Sequence, residues 1–465
     1  MLCDGDVDEL LMTQMLTSIA RKIAGIVTVA TALFAGEAPA QLVSPLPGVE
    51  RFYVGTYSGQ IWEVSLNLAT GKFIATNLAA SLGGAPSFIA ITPNRKYLYA
   101  VDENNNLAIA YVINPTNGLL TKTNSMPSGG QQPPFIIADK SGSNVVVANY
   151  GDGWVTVFPI NQTNGKLGTN TAHYDSLGGT PAHGVTIDCN EHYLFVCDFG
   201  VDTVSSYIFN PSAGTLATNN PGHVSVAPNS GPRHMVFDPS CQHAYVICQN
   251  SFTIVGFDYN STNGVLTTNQ SISTLTNGMS FGTGASEIAV HPSGKFLYGS
   301  NRGTSPDTIV VYTINQTNGT LTQVQQAVTG STPRNFAIDP TGAYCIVADQ
   351  DSSDIRLYSI NQQTGLLTYL NQKITIISGP VCIVPFILQP PQPVLSFLPG
   401  QSNTFSFNIS NTLSLLTYQL YESPALPSPA QAWNLVATGS PGQTNFVLSN
   451  SLPEEFFRAG VLTNY

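Results

Sequence analysis

Cationic side chains that could bind an anion are rare in this sequence, yet several of them share one recurring position. The chain has 465 residues and only 16 Lys and Arg. Arg233 and Arg334 lie at the starts of the similar segments PRHMVF and PRNFAI, His183 occupies the matching place in PAHGVTI, and Arg302 ends the segment FLYGSNR. Converging arginines bind carboxylate or phosphate and stabilise an oxyanion, and a histidine beside them exchanges a proton near neutral pH. These residue types predict a site for anion binding and acid–base chemistry.

The segments that carry these residues belong to a repeated unit. A hairpin turn recurs with glycine at positions 71, 118, 165, 214, 264, 319 and 365, at spacings of 47, 47, 49, 50, 55 and 46 residues. Between the turns lie a strand, a polar turn and a second strand, followed by a shorter strand of alternating apolar and polar residues. Four strands in every ~40 to 50 residues are typical of a β-propeller blade. The sequence therefore predicts an all-β fold with a seven-bladed β-propeller.

The ends of the repeat region predict how the ring closes and where the domains divide. The first unit, which begins at Arg51, lacks its innermost strand, and residues 379–386 can supply it, so that no sheet edge stays exposed. A proline-rich boundary follows near Gln389. We predict a propeller over residues 41–388 and a small C-terminal β-sandwich, immunoglobulin-like or fibronectin-like, over 389–465. The second domain is expected to act as a spacer or to bind a partner at the cell surface.

Residues 1–40 have the pattern of a signal peptide. Arg21 and Lys22 precede an apolar run over 23–34, and Ala-Pro-Ala at 38–40 fits a signal peptidase site. The run is too short for a membrane span, so we expect no stable span after cleavage. The mature protein is predicted to be secreted or periplasmic.

Cysteines and charge narrow the possible cofactors and partners. Six cysteines remain after the leader; Cys189 and Cys241 fall in equivalent turns, and both disulfides and buried free thiols stay open for this set. No spacing of cysteine and histidine indicates zinc, and we expect neither a metal nor a cofactor. The net charge of −11 and the lack of a basic run argue against nucleic acid as a partner.

Blade geometry places the start of the innermost strand and the end of the next strand on one face of the ring. Alternation along the strand predicts that Arg233 enters the central channel while His234 points between blades. Arginines that bridge neighbouring blades through carboxylates are the structural alternative. The candidate catalytic residues are His183, Arg233 and Arg302, and the candidate substrate-binding residues are Gln249, Asp198, Glu287 and Arg334. The histidines expected at the surface are His192, His223, His243 and His291.

Several of these segments together resemble the lactonase family of seven-bladed propellers, which includes bacterial 6-phosphogluconolactonases and fungal carboxymuconate-cyclising enzymes. The resemblance covers residues 51–386 and rests on YVGTY, NYGDG, HGVTID, DFGVD, GPRHMVFDP, SEIAVHPSGKFLYGSNRG and PRNFAIDPTG. It implies that His183, Arg233 and Arg302 match residues that the family is proposed to use. It also implies an acid at the position of Gln249, where this chain has an amide that cannot exchange a proton.

Two functions are consistent with this pattern. In the first, an exported lactonase opens a sugar lactone or related cyclic ester: Arg233 and Arg302 hold the carbonyl, His183 activates water, and Asp198 or Glu287 orients the histidine or replaces the missing acid. Phosphorylated gluconolactone is disfavoured as its substrate because that metabolite belongs to the cytoplasm. In the second, a non-catalytic propeller binds an anionic ligand or a protein partner, with a Tyr57 or Tyr150 ring available to stack on a sugar.

Overall fold

The computed structural model describes residues 48–175, 179–276 and 278–386, together with six strand segments between residues 394 and 461. The described residues form strands and turns and include no α-helix. The predicted signal peptide lies outside them. Residues Gly48–Leu388 make one compact unit.

Within this unit, 28 strands follow one another along the chain and are separated by short turns. Their bounds are β1 Val49–Thr56, β2 Gln60–Asn67, β3 Lys72–Ser81, β4 Ile89–Ile91, β5 Tyr97–Asp102, β6 Leu107–Ile113, β7 Leu120–Pro127, β8 Phe135–Ala138, β9 Asn144–Ala148, β10 Trp154–Pro159, β11 Ala172–Asp175, β12 Ala182–Ile187, β13 Tyr193–Asp198, β14 Thr203–Asn210, β15 Thr215–Ser225, β16 Pro232–Phe237, β17 His243–Cys248, β18 Thr253–Asn260, β19 Val265–Ser273, β20 Gly284–Val290, β21 Phe296–Arg302, β22 Thr308–Ile314, β23 Leu321–Val328, β24 Pro333–Ile338, β25 Tyr344–Asp349, β26 Asp354–Ile360, β27 Leu367–Ile374 and β28 Pro380–Phe386.

These strands form seven antiparallel sheets of four strands each, which confirms the seven-bladed propeller. Blade 1 has the order β28-β1-β2-β3, so the last strand supplies the innermost position of the first blade, as the sequence predicts. Blades 2 to 7 follow in chain order as β4–β7, β8–β11, β12–β15, β16–β19, β20–β23 and β24–β27. The apolar core consists of clusters between adjacent blades, each drawn from the buried faces of two or three sheets.

The recurring glycine turns have two physical causes. Gly165 has φ +71° and Gly264 has φ +69°, a left-handed conformation that disfavours residues with a side chain. A Cβ at either position would also collide with a tyrosine ring of a preceding blade, that of Tyr97 or Tyr193. Each turn therefore reverses the chain and also packs against a neighbouring blade. Both requirements favour glycine, which explains why it recurs.

The cysteines divide into one pair and four single thiols among the described residues. Cys189 and Cys241 form a disulfide that joins the β12–β13 turn of blade 4 to the β16–β17 turn of blade 5. The buried free thiols are Cys197, Cys248, Cys345 and Cys382. Both possibilities that the sequence leaves open are thus realised, at different positions.

The C-terminal segment contributes six strands with antiparallel pairing. They are β29 Val394–Leu398, β30 Thr404–Ser410, β31 Tyr418–Ser423, β32 Asn434–Thr438, β33 Asn445–Ser449 and β34 Phe456–Val461. They form two three-stranded sheets, β29-β30-β33 and β32-β31-β34. The side chains that would pack these sheets into a sandwich lie outside the described residues, so the sandwich stays a prediction.

Candidate active site

Irregular strand pairing builds the mouth of the channel. The pairing of β12 with β13 shifts register around His183, that of β16 with β17 around Arg233, and that of β24 with β25 around Arg334. In blade 6 the same kind of shift spans Ser286 and Glu287. A bulge leaves a residue unpaired and breaks the alternation of side chains, so two consecutive residues can face the same space.

Because of this shift, the prediction that His234 points between blades is wrong. Arg233 and His234 are both buried, each with 3% of its surface exposed, and both contact blade 6. The His234 ring also lies edge-on to Phe135 of blade 3, with the ring centres 4.8 Å apart, and 5.7 Å from the ring of Phe88 in blade 2. His234 thus lies in the centre of the ring, directly beside Arg233.

Side chains fill the channel below the mouth. The Phe88 and Phe135 rings stack at 4.0 Å, and His234 packs against both. Across the channel, Asn335 donates a hydrogen bond to Glu287 and accepts one from the backbone N–H of Ile383 at 2.8 Å. We call these central side chains the floor of the site.

A hydrogen-bonded chain runs along this floor from Glu287 to Arg233. Nδ1 of His234 lies 2.9 Å from Oε1 of Glu287, and Nε2 lies 3.2 Å from Nη1 of Arg233, which also donates to the carbonyl of Ser286 at 2.8 Å. Burial lowers the pKa of His234 to about 4 although Glu287 opposes this, so the imidazole is neutral at neutral pH. A neutral ring in this geometry donates from Nδ1 to the carboxylate and accepts at Nε2 from the guanidinium.

The carboxyl group of Glu287 is ionised at neutral pH. Burial raises its pKa, but the contacts with His234 and the charge of Arg233 outweigh burial, and the pKa lies below its ordinary value. Glu287 therefore anchors His234 and, through it, Arg233. The predicted role of Glu287 toward substrate or toward His183 stays a prediction.

His183 has an unoccupied proton acceptor. It is 6% exposed, and its buried Nδ1 has no hydrogen-bond partner among the described residues. Burial lowers its pKa well below 6.5, and the charges of the arginines act in the same direction. The ring centre lies 5.1 Å from that of His234 and 5.8 Å from that of Tyr150. The imidazole of His183 is thus neutral at neutral pH, and in the tautomer that leaves Nδ1 unprotonated this atom can accept a hydrogen bond from water.

Arg302 and Gln249 interact directly. Nη2 of Arg302 donates to the Gln249 side-chain carbonyl at 2.8 Å and to the backbone carbonyl of Ala285 at 3.3 Å, and Nε donates to that of Gly284 at 3.2 Å. All three acceptors are neutral. Burial, followed by the charge of Arg334, lowers the pKa of Arg302 to about 10, so the guanidinium stays protonated at neutral pH. Its charge is therefore available to an anionic group at the mouth.

Arg334 reaches a neighbouring blade through an aromatic ring. Its guanidinium carbon lies 5.0 Å from the centre of the Tyr57 ring, and the Tyr57 hydroxyl donates to Oε2 of Glu103 at 3.3 Å. The alternative of a carboxylate bridge is thus replaced at Arg334 by a cation–π contact. The sequence indicated Tyr57 only as a ring that could stack on a sugar. Its position directly after β1 was the signal that it lies at the mouth.

Asp198 makes contacts within its own blade. Its carboxylate accepts hydrogen bonds from Ser205 at 2.6 Å and from Thr203 at 3.3 Å, both on β14. The predicted role of Asp198 toward substrate stays a prediction.

The surface position predicted for His291 is wrong, because this residue is 2% exposed and its Nε2 lies 2.9 Å from the carbonyl of Gly342 in blade 7.

The arrangement now permits comparison with known proteins. The family model described as "Lactonase, 7-bladed beta-propeller" matches residues 51–385. The chain belongs to this lactonase family. The match covers all seven blades.

The similarity to known relatives extends over most of the length of each relative. The 6-phosphogluconolactonase of Bacillus subtilis is 30% identical over 318 residues, which is 65% of this chain and 89% of the relative. A putative 6-phosphogluconolactonase structure from Bacteroides fragilis has 31% identity and a TM-score of 0.67 and covers 74% of this chain and 99% of its own. The periplasmic gluconolactonase of Pseudomonas aeruginosa has 25% identity and a TM-score of 0.68, with coverage of 73% and 100%.

Within the described ranges, no group of three or more His, Cys, Asp or Glu side chains is placed to hold a metal ion. No helix in the same part of the chain is long and apolar enough to cross a membrane.

Proposed function

We propose that this protein is an exported enzyme that hydrolyses a sugar lactone or a related cyclic ester at the mouth of its propeller. The observation that carries the proposal is the buried Nδ1 of His183, which has no partner among the described residues and lies on a neutral ring beside arginines. Lactonase relatives, among them a periplasmic gluconolactonase, support the reaction class and the compartment. The Cys189–Cys241 disulfide is also typical of an oxidising compartment.

In the proposed reaction, His183 takes a proton from a water molecule while the water oxygen attacks the lactone carbonyl carbon. The carbonyl oxygen becomes an oxyanion, which Arg233 and Arg302 stabilise with N–H donors. The buried Nε of Arg233 has no partner among the described residues and can serve as one such donor. Collapse of the tetrahedral intermediate breaks the bond to the ring oxygen and releases the hydroxy acid.

The positions of the two arginines are maintained by different contacts. Arg233 is held by Ser286 and by the His234–Glu287 pair, and Arg302 is held by Gln249 and two backbone carbonyls. Preorganised donors stabilise developing charge without a cost of reorganisation during the reaction. Arg334, with Tyr57 beneath it, is placed to bind an acidic group of the substrate.

The test is turnover of glucono-1,5-lactone, other sugar lactones and acyl lactones by the protein and by His183→Ala. We expect the variant to lose roughly 100-fold or more in kcat/KM, because general-base catalysis contributes about that much. His192→Ala is the matched control, since His192 is exposed in the β12–β13 turn at the other end of the same strand. Unchanged turnover in His183→Ala contradicts the mechanism, and ligand binding without turnover in the unaltered protein identifies a binding propeller instead.

A further inference from the structure

We propose that the Tyr57 hydroxyl is the acid that protonates the leaving ring oxygen when the lactone opens. This inference rests on the proposed function and assigns a further catalytic residue to it. It follows from the position of Tyr57 in the mouth and from the proton inventory of the site.

Tyr57 is fixed in the mouth by contacts on several sides. It follows β1 directly, and its backbone N–H donates to the carbonyl of Gly379 at 3.0 Å. Its half-buried ring lies beneath the Arg334 guanidinium at 5.0 Å, and its hydroxyl points to Glu103 at 3.3 Å. These contacts fix the Tyr57 ring. The hydrogen bond from its hydroxyl to Glu103 is long, so the hydroxyl can instead donate to an oxygen of the substrate.

Charges of both signs act on the Tyr57 hydroxyl. Burial is the largest influence and raises its pKa, Glu103 raises it further, and the charges of Arg334 and Arg233 lower it. Tyr57 in turn raises the pKa values of Arg233 and Arg302, so it is electrostatically coupled to all three arginines of the mouth. The pKa is raised overall, so the phenol keeps its proton at neutral pH, and the arginine charges partly offset the cost of forming a tyrosinate during proton transfer.

The other groups of the site leave this proton-donor role open. Gln249 carries an amide that releases no proton, and ionised Glu287 is committed to His234 and Asn335. His183 takes the proton from water, and the experiment below separates its imidazolium from Tyr57 as the donor. The phenols of Tyr57 and Tyr150 both keep their protons at neutral pH, and Tyr57 is the one of the two on which both Arg334 and Arg233 act.

The proton transfers balance. Water gives one proton to His183, and its oxygen bonds to the carbonyl carbon. As the bond between that carbon and the ring oxygen breaks, the ring oxygen keeps the electron pair. It takes the proton of Tyr57 and becomes a hydroxyl. The tyrosinate then regains a proton from the imidazolium through solvent, and the product is the open hydroxy acid.

The experiment compares glucono-1,5-lactone with its 5-thio analogue, in which the ring oxygen is sulfur, on the full mature chain and on Tyr57→Phe. A thiolate leaves without prior protonation because thiols are far more acidic than alcohols. We expect the variant to lose roughly 100-fold in kcat on the oxygen lactone, as expected for a missing general acid, and to lose less than about threefold on the thiolactone. Phenylalanine keeps the ring beneath Arg334, so KM should change little.

Tyr193→Phe is the matched control, because Tyr193 donates to the Thr262 carbonyl at the opposite end of the propeller. Equal losses on both substrates would assign the hydroxyl a structural role, and no loss on either would make the His183 imidazolium the proton donor; both results overturn the inference. If the unaltered protein opens neither substrate nor any lactone of the wider screen, the proposed function itself fails, which is a distinct result.

Discussion

At the scale of single residues, the site concentrates positive charge and pairs it mostly with neutral acceptors. Arg302 donates to one amide and two backbone carbonyls, and Arg334 lies over an aromatic ring. Glu287, a carboxylate on the floor, is hydrogen-bonded to His234, which contacts Arg233, and its charge also acts on Arg233 directly. Burial of like charges close together costs free energy. Burial and the charges of neighbouring arginines accordingly lower the pKa values of Arg233 and Arg302. An anionic ligand or an oxyanion would relieve this cost.

The pH dependence of turnover tests this electrostatic picture. His183 acts as a base only when neutral, so activity should be complete above its pKa and lost as the pH falls through that pKa, which lies well below 6.5. Arg334→Gln removes one charge that lowers this pKa, so the acidic limb of kcat/KM should move upward by about half a pH unit. Lys166→Gln, in an exposed turn at the far end of blade 3, should leave the limb in place. An unmoved limb in Arg334→Gln would show that the titrating base is not His183.

At the scale of elements, the irregular starts of the innermost strands decide which side chains meet. Regular alternation would separate Arg233 from His234, but the register shift in β16 brings both into the site. The equivalent shift in β12 places His183 at the mouth, and Gly184 follows it where the backbone of β16 approaches closely. The strand register therefore decides which side chains meet in the proposed site.

Gly184→Ala tests this close approach. A Cβ at position 184 would lie 2.5 Å from the carbonyl oxygen of Arg233 and 3.1 Å from Cδ2 of His234, so β12 and β16 would have to move apart. We expect kcat/KM to fall roughly tenfold or more, with a loss of about 1 to 3 kcal/mol in the free energy of unfolding from overpacking. Steady-state kinetics and thermal unfolding measure both effects.

The control for this substitution is Gly222→Ala on the outermost strand of the same blade. An added Cβ there would meet the Thr218 methyl group at 3.1 Å, which can rotate away. Full activity in Gly184→Ala would mean that the positions of Arg233 and His234 tolerate a wider separation of the blades.

At the scale of the whole molecule, one strand closes the ring. β28 pairs with β1 from Arg51 to Thr56 and so joins the end of the propeller to its beginning. The same strand donates the N–H of Ile383 to Asn335, which in turn contacts Glu287 on the floor of the site. Ring closure and site geometry are thus coupled through a single strand.

Two truncated chains separate the contribution of the whole propeller unit from that of its closing strand β28. A chain of residues 48–388 contains the compact propeller unit and should keep its cooperative unfolding and its lactone turnover. A chain that ends at residue 378 lacks β28, leaves an open edge on β1 and exposes the apolar face between blades 1 and 7. We expect it to aggregate or to unfold at least 10 °C lower, as measured by circular dichroism, since several kcal/mol of packing are lost. Equal stability of the two chains would contradict a closing role for β28.

Much of this fold was predictable because its determinants are local and repeated. Glycines such as Gly165 and Gly264 recur because a turn of positive φ is needed in each blade, and that need is visible at a regular spacing. Closure by residues 379–386 was predictable from the strand missing in the first unit. Antiparallel strand order likewise predicts that Arg233 and Arg302 lie at one face of the ring.

Only the tertiary structure decided how the site is assembled. The contact of Arg233 with His234 accompanies a register shift in β16, and both side chains also contact blade 6. The contacts of Tyr57 with Glu103 and Arg334 join positions that are far apart in the chain and meet because the ring closes. The sequence by itself determined seven blades and one polar face, since these follow from short-range patterns. The pairing of side chains on that face depends on distances between blades, which no local pattern encodes.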